Sequence, residues 1–160
     1  MRARAAVEYD EPVRRIVAAW KERGLRRLAR WAAELVVESV ARPEGSCLAC
    51  VPGDLDRRLQ RGHHAAERLA QALAATWELP LEPLLRRSGR SRRQRGLTES
   101  ERRRNVAAAF LVSGRAPPTV TLVDDVYTTG ATVNTAAAAL RKAGAIRVEV
   151  LTFARTIRIS

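Results

Sequence analysis

Nowhere does this chain approach the roughly 18 uncharged apolar residues of a membrane span. Its basic start, MRARAAVEYDEPVRR, has no apolar run behind it of the kind a secretory leader carries. Cysteine is almost missing. The two present, Cys47 and Cys50, are too few for a secreted disulfide scaffold and suit a reducing compartment, so a soluble cytoplasmic protein without a membrane partner is expected. Acidic residues are outnumbered, with 17 Asp and Glu against 29 Lys and Arg and a formal charge of +12. That balance points to polyanionic partners, either nucleic acid or phosphorylated small molecules. No internal repeat or interdomain linker breaks the chain, and its 160 residues suffice for one domain with a core but not for two of ordinary size.

What is present is an alternation of helical and strand patterns. Val13, Ile16, Val17 and Trp20 recur at helical spacing after Pro12, predicting a helix over 11–23 that Gly24 ends. Leu25, Leu28, Ala32, Leu35 and Val36 predict a second helix, closed before Pro43 and Gly45. Cys47–Val51 reads as a buried strand stopped by Pro52 and Gly53. Leu69, Ala70, Leu73, Ala74 and Trp77 predict a helix from His64, and 81–85 a short strand. The arginine-rich segment 86–105 is too polar for a core and reads as a mobile basic loop, with a short helix opened by the capping box Thr98-x-x-Glu101. Thr119–Val123 is a β-branched strand, 132–143 an alanine-rich helix capped by Gly144, and 146–153 a final strand. Strands alternating with helices at this spacing imply an α/β fold, a parallel sheet covered on both faces.

The chemistry concentrates in VTLVDDVYTTGAT, residues 120–132. Ligands of such sheets sit beyond the carboxyl ends of the strands, where Asp124 and Asp125 are expected to leave theirs. Thr128, Thr129, Gly130, Ala131 and Thr132 then offer three hydroxyls and convergent N–H groups at a helix start. Gly130 permits close backbone approach, so the turn suits a phosphate. The lysine of a nucleoside triphosphate loop is missing and a carboxylate pair precedes the turn instead. Carboxylates beside a phosphate suit a ligand that also presents a hydroxyl pair, or a hydrated Mg²⁺. Ribose 5-phosphate has the phosphate and the diol.

VTLVDDVYTTGAT resembles the phosphoribosyl pyrophosphate motif of type I phosphoribosyltransferases. Around it, EYDEPVRRIVAAWKERG, RRLQRG, QRGLTESERRRNVAAAF and VEVLTFART resemble the ComF family of competence-associated phosphoribosyltransferases, over about Tyr9 to Thr156. The resemblance implies a Rossmann-like phosphoribosyltransferase fold. It places Asp124 and Asp125 on the ribose hydroxyls and on Mg²⁺, directly or through water, and Thr128–Thr132 around the 5-phosphate. Arg57, Arg58 and Arg61 would hold pyrophosphate. The basic loop, with Arg92, Arg93, Gln94, Arg104 and Asn105, would form a hood over the reacting centre. Transfer of the phosphoribosyl group to a nitrogenous acceptor is the activity implied, with a homodimer and a link to competence as further expectations.

Three departures accompany the resemblance. No counterpart of the cysteine-rich zinc module that commonly begins family members is seen. Gly62-His63-His64-Ala65 stands where Gly-Phe-Asn-Gln is usual, and Val51-Pro52-Gly53-Asp54 where Pro-Val-Pro-Leu is usual. Both substitutions fall at the expected pyrophosphate turn, and no residue stands out as a general base.

Other features have plainer readings. Cys47 and Cys50 with His63 approach a zinc spacing, but His63 and His64 are adjacent rather than three to five apart, so the cysteines read as small buried strand residues. Trp20, Trp31 and Trp77 lie on apolar helix faces and read as core. The charge leaves a second function open, a binding module that senses a phosphoribosyl ligand while the basic loop grips nucleic acid.

Overall fold

Pro12 in the first turn and Asp10, whose Oδ1 accepts the Val13 N–H at 2.9 Å, start the first helix where the sequence predicts it. In the computed structural model, residues 3–23, 26–53, 64–88 and 109–157 are described. The strands are β1 (Ala3–Glu8), β2 (Cys47–Cys50), β3 (Leu85–Arg87), β4 (Phe110–Val112), β5 (Thr119–Tyr127) and β6 (Arg147–Arg155). The helices are α1 (Glu11–Arg23), α2 (Arg26–Ser39), α3 (Ala65–Trp77) and α4 (Ala131–Lys142).

Four strands make a parallel sheet in the order β1-β6-β5-β2, and β3 pairs antiparallel with β4 in a separate ribbon. The period-2 alternation of strand side chains feeds two cores. On one face Val17 and Trp20 of α1, Val36 of α2, and Leu69 and Leu73 of α3 pack on Leu48, Val123, Leu151 and Phe153. On the other, Val133, Ala136 and Leu140 of α4 join Leu85 and Phe110 over Val120, Leu122, Val148 and Val150. Each fully buried side chain of this size contributes about 1.5–3 kcal/mol. Trp20, 1% exposed, meets Phe153 edge-on at 6.2 Å and so fixes the C-terminal half of α1 against β6. Trp77 is buried as expected, whereas Trp31 is 39% exposed and only leans on Phe153.

The α/β architecture expected from the alternation is observed, with several revisions, among them β4, which the sequence analysis does not predict. β1 is not anticipated. Its Arg4 would be an odd strand residue but for Glu149, buried on β6, whose Oε2 accepts from Arg4 Nη2 at 3.1 Å. The short strand expected over 81–85 reduces to an isolated bridge between Leu81 and Leu48, and Leu85 opens β3 instead. Arg86 and Arg87, placed by the sequence reading in a mobile loop, belong to β3. There Arg87 donates from Nε to the Pro52 carbonyl at 3.2 Å and lies over the Phe110 ring. The rest of that loop that falls in 89–108, Thr98 and Glu101 included, lies outside the described residues.

Candidate functional site

The acid pair does not leave its strand. β5 continues to Tyr127, with Asp124 in register with Thr152 and Tyr127 with Arg155 of β6. Two adjacent carboxylates would ordinarily end a buried strand. Here each accepts the next residue's amide, the Asp125 N–H donating to Asp124 Oδ1 at 2.9 Å and the Val126 N–H to Asp125 Oδ1 at 2.8 Å. A cation also arrives from α1, where Lys21 Nζ stands 2.6 Å from Asp125 Oδ2. Burial first, and the charge of Asp125 second, push the Asp124 carboxyl well above the usual carboxylate range, against the smaller pull of the Asp125 N–H and Lys21.

Beyond the acids the chain turns directly into α4. Thr128 and Thr129 are exposed, and Gly130 is the N-cap with φ 75°. The Ala131 N–H donates to Thr129 Oγ1 at 3.3 Å. Helix geometry leaves the N–H groups of Thr132 and Val133 without a carbonyl in the helix, and no acidic residue occupies the first turn. The α4 start therefore presents positive partial charge beside the acid pair. Thr128 and Thr129 line a cleft of about 290 Å³ with Tyr127, Arg155, Thr156 and Ile157.

Gly130 is required for a reason the sequence does not reveal. A Cβ there would collide with the Tyr127 hydroxyl and come within 2.6 Å of its Cζ. The ring is held by the Arg155 guanidinium, 5.7 Å from its centroid, and the Tyr127 carbonyl accepts the Thr156 N–H at 2.9 Å. The space above Gly130 thus belongs to Tyr127.

At the end of β2, a neighbour of β5, the Val51 N–H donates to the Val123 carbonyl at 2.9 Å. His64 caps α3, its Nδ1 accepting the Glu67 N–H at 3.2 Å, and its ring lies so close over Gly53 that any side chain there would strike it. Cys47 is buried in β2 and Cys50 partly so. Burial, then the charge of Glu82, raise the Cys47 thiol above its ordinary range, partly offset by a hydrogen bond with Ser46. Among the described residues no group of three or more His, Cys, Asp or Glu side chains comes together to hold a metal ion. No helix among them is long and apolar enough to cross a membrane.

Asp124, Asp125 and Thr128–Thr132 are thus gathered at one end of β5 and the start of α4. Arg57, Arg58, Arg61, Arg92, Arg93, Gln94, Arg104 and Asn105 lie outside the described residues, as does His63. Sequence reasoning missed Lys21, Tyr127 and Arg155. The signal for Tyr127 was its place between the acids and the glycine.

No family model matches the chain. Among curated proteins it is 38% identical over 104 residues to competence protein F of Haemophilus influenzae, covering 62% of this chain and 45% of that protein. It is 28% identical over 153 residues to competence protein ComFC of Streptococcus pneumoniae, covering 95% of this chain and 67% of that protein. The chain thus spans less than half the length of the first relative. Among solved structures, the allosteric regulatory enzyme of purine biosynthesis superposes with a TM-score of 0.57 at 20% identity, over 79% of this chain and 25% of that one. A purine phosphoribosyltransferase from Pyrococcus horikoshii gives a looser superposition, TM-score 0.42 at 17% identity, over 86% and 83% of the two chains.

Proposed function

We propose, for a chain similar in sequence to competence proteins F and ComFC and with the parallel α/β fold expected of a type I phosphoribosyltransferase, that its site binds phosphoribosyl pyrophosphate. It then transfers the ribose 5-phosphate unit to a nitrogenous acceptor with release of pyrophosphate. The observation that carries this reading is the direct succession of the acid pair on β5 and the acid-free start of α4. One end of that arrangement favours hydroxyl donors and the other an anion, matching the two ends of a ribose 5-phosphate.

In this scheme the 5-phosphate accepts from the N–H groups and hydroxyls of Thr128–Thr132. Asp124 and Asp125 accept from the ribose hydroxyls and face the positive charge that develops on the sugar as pyrophosphate departs. Arg57, Arg58 and Arg61 would receive the leaving group. Arg92, Arg93, Gln94, Arg104 and Asn105 would close over it and exclude water, which otherwise hydrolyses the activated sugar. Mg²⁺ belongs to the proposal as an ion that would be carried on the pyrophosphate and would supply neutralising charge to the departing oxygens. Among the described residues no third His, Cys, Asp or Glu joins the pair to make a cage for it, and Asp125 already holds Lys21. A role in competence is inferred from the names of the two relatives.

The net charge of +12 supports a second reading, a non-catalytic sensor of the same ligand whose basic surface holds nucleic acid. One experiment separates them. Purified protein is incubated with phosphoribosyl pyrophosphate, Mg²⁺ and a panel of nucleobases and amines while pyrophosphate release is recorded. Acceptor-dependent release supports the transferase. Salt-dependent binding of single-stranded DNA with no release under any acceptor selects the module.

A further inference from the structure

Lys21 is an unusual choice in this chain. All but two of its 29 basic residues are arginine, the other lysine being Lys142. Yet a lysine meets the acid pair. Arginine offers a broad planar fork, whereas an ammonium is a compact, strongly hydrated point charge, closer in shape to a bound metal cation. Its placement is enforced, because the preceding residue, Trp20, is wedged against Phe153. The Lys21 and Asp125 side chains are 31% and 11% exposed, which sets this pair apart from the largely exposed Arg14–Glu11, Arg15–Glu11 and Arg30–Glu34 pairs within single helices.

Both oxygens of Asp125 are engaged, Oδ2 by Lys21 and Oδ1 by the Val126 N–H. The carboxylate is therefore fixed in orientation but keeps lone pairs free for a hydroxyl donor. A divalent cation approaching it meets an ammonium already in place. To bind, it must expel Lys21 or sit beside it, and like charges a few ångströms apart in a part-buried site repel strongly.

We infer that Lys21 is the resident counter-cation of the acid pair, a positioning residue that fixes Asp125 for a sugar hydroxyl and denies the pair to free divalent cations. This deepens the phosphoribosyl reading and rests on it for the identity of the hydroxyl. It assigns the metal requirement to the pyrophosphate half of the ligand, and the ribose half then works without metal.

The test uses the whole chain as wild type, Lys21→Met and Lys21→Arg, each checked for folding by its urea transition. If Lys21→Met does not fold, Lys21→Gln takes its place. Mn²⁺ binding to the unliganded protein, read by the paramagnetic signal of the free ion, should be at least about tenfold tighter in Lys21→Met than in wild type or Lys21→Arg. Calorimetry should show wild type binding phosphoribosyl pyrophosphate more tightly with Mg²⁺ than in EDTA, but ribose 5-phosphate, which lacks the pyrophosphate, equally well in EDTA. Lys21→Met should lose about tenfold there and recover most of it with Mg²⁺. Equal Mn²⁺ affinity in wild type and Lys21→Met, or tight Mn²⁺ binding by wild type, overturns the inference. Absence of phosphoribosyl pyrophosphate binding by wild type in both buffers overturns the ligand reading instead, while the Mn²⁺ comparison still decides the role of Lys21.

Discussion

Replacing Gly130 with alanine tests the packing at the start of α4 without removing any polar group. Two terms add. An L-residue held at φ 75° costs about 1–2 kcal/mol relative to glycine. The new Cβ also collides with the Tyr127 ring, which must then leave the Arg155 guanidinium, a contact of about 0.5–1 kcal/mol. Gly130→Ala should therefore destabilise by about 1.5–3 kcal/mol, a fall in Tm of roughly 3–12 °C for a chain of this length. Urea midpoints at unchanged slope would report it. Tyr127→Leu clears the space, so Gly130→Ala in that background should show only the backbone term, and the cycle should yield a coupling of about 0.5–1 kcal/mol. A Gly130→Ala protein as stable as wild type, or a coupling of zero, would refute the packing. The same result governs any binding assay, because ligand lost on enlarging Gly130 would report a displaced Tyr127 as well as a blocked phosphate.

Asp124→Asn should raise stability at pH 7 and leave it unchanged below about pH 4. Its folded carboxyl sits above the usual range through burial and Asp125, so the stability its proton confers is complete below the unfolded value of about 3.9 and lost as pH rises through the folded one. Urea midpoints showing a pH-independent effect would contradict that environment. Trp20→Ala should cost about 3–5 kcal/mol, and Trp31→Ala clearly less because Trp31 is 39% exposed; equal losses would mean α1 is not anchored as described. Iodoacetamide at pH 8 should spare Cys47 in the native protein and modify it in urea, since burial keeps it a thiol; rapid native labelling would place it at the surface.

The helices and the central strands were legible because each carries its own period. Pro12 with Val13, Ile16, Val17 and Trp20 describes α1 over 11–23, and the structure gives Glu11–Arg23. The parts that were not legible depend on partners distant in sequence. Arg4 is tolerable in β1 because Glu149 and the Ala41 carbonyl accept from its guanidinium. β3 and β4 have three residues each and become strands only by pairing Leu85 with Val112. The end of β5 was misplaced at Val123 because paired acids read as a strand stop, and nothing in VTLVDD shows that local amides and Lys21 compensate them. Lys21 itself looks like any solvated residue of an amphipathic helix. The acid pair and the threonine-rich turn were readable as a ligand site because their residue types are costly in a core and ordinary at the mouth of a parallel sheet.

The sheet order has a consequence for how the chain is made. β1 precedes every other strand described, whereas its sheet neighbour β6 follows them all and is joined to it by contacts such as Arg4 with Glu149, 145 residues apart. From the emergence of β1 to that of β6 the nascent chain carries an unpaired parallel strand, and the face of α1 that will hold Phe153 is uncovered. Closure of that half waits for β6, which inserts between β1 and β5 and supplies Leu151 and Phe153 to the core. Such long-range topology slows folding and prolongs exposure of sticky intermediates. A stop codon ahead of β6 would thus remove more than one strand, leaving both its neighbours with open edges and releasing a product suited to aggregation and proteolysis.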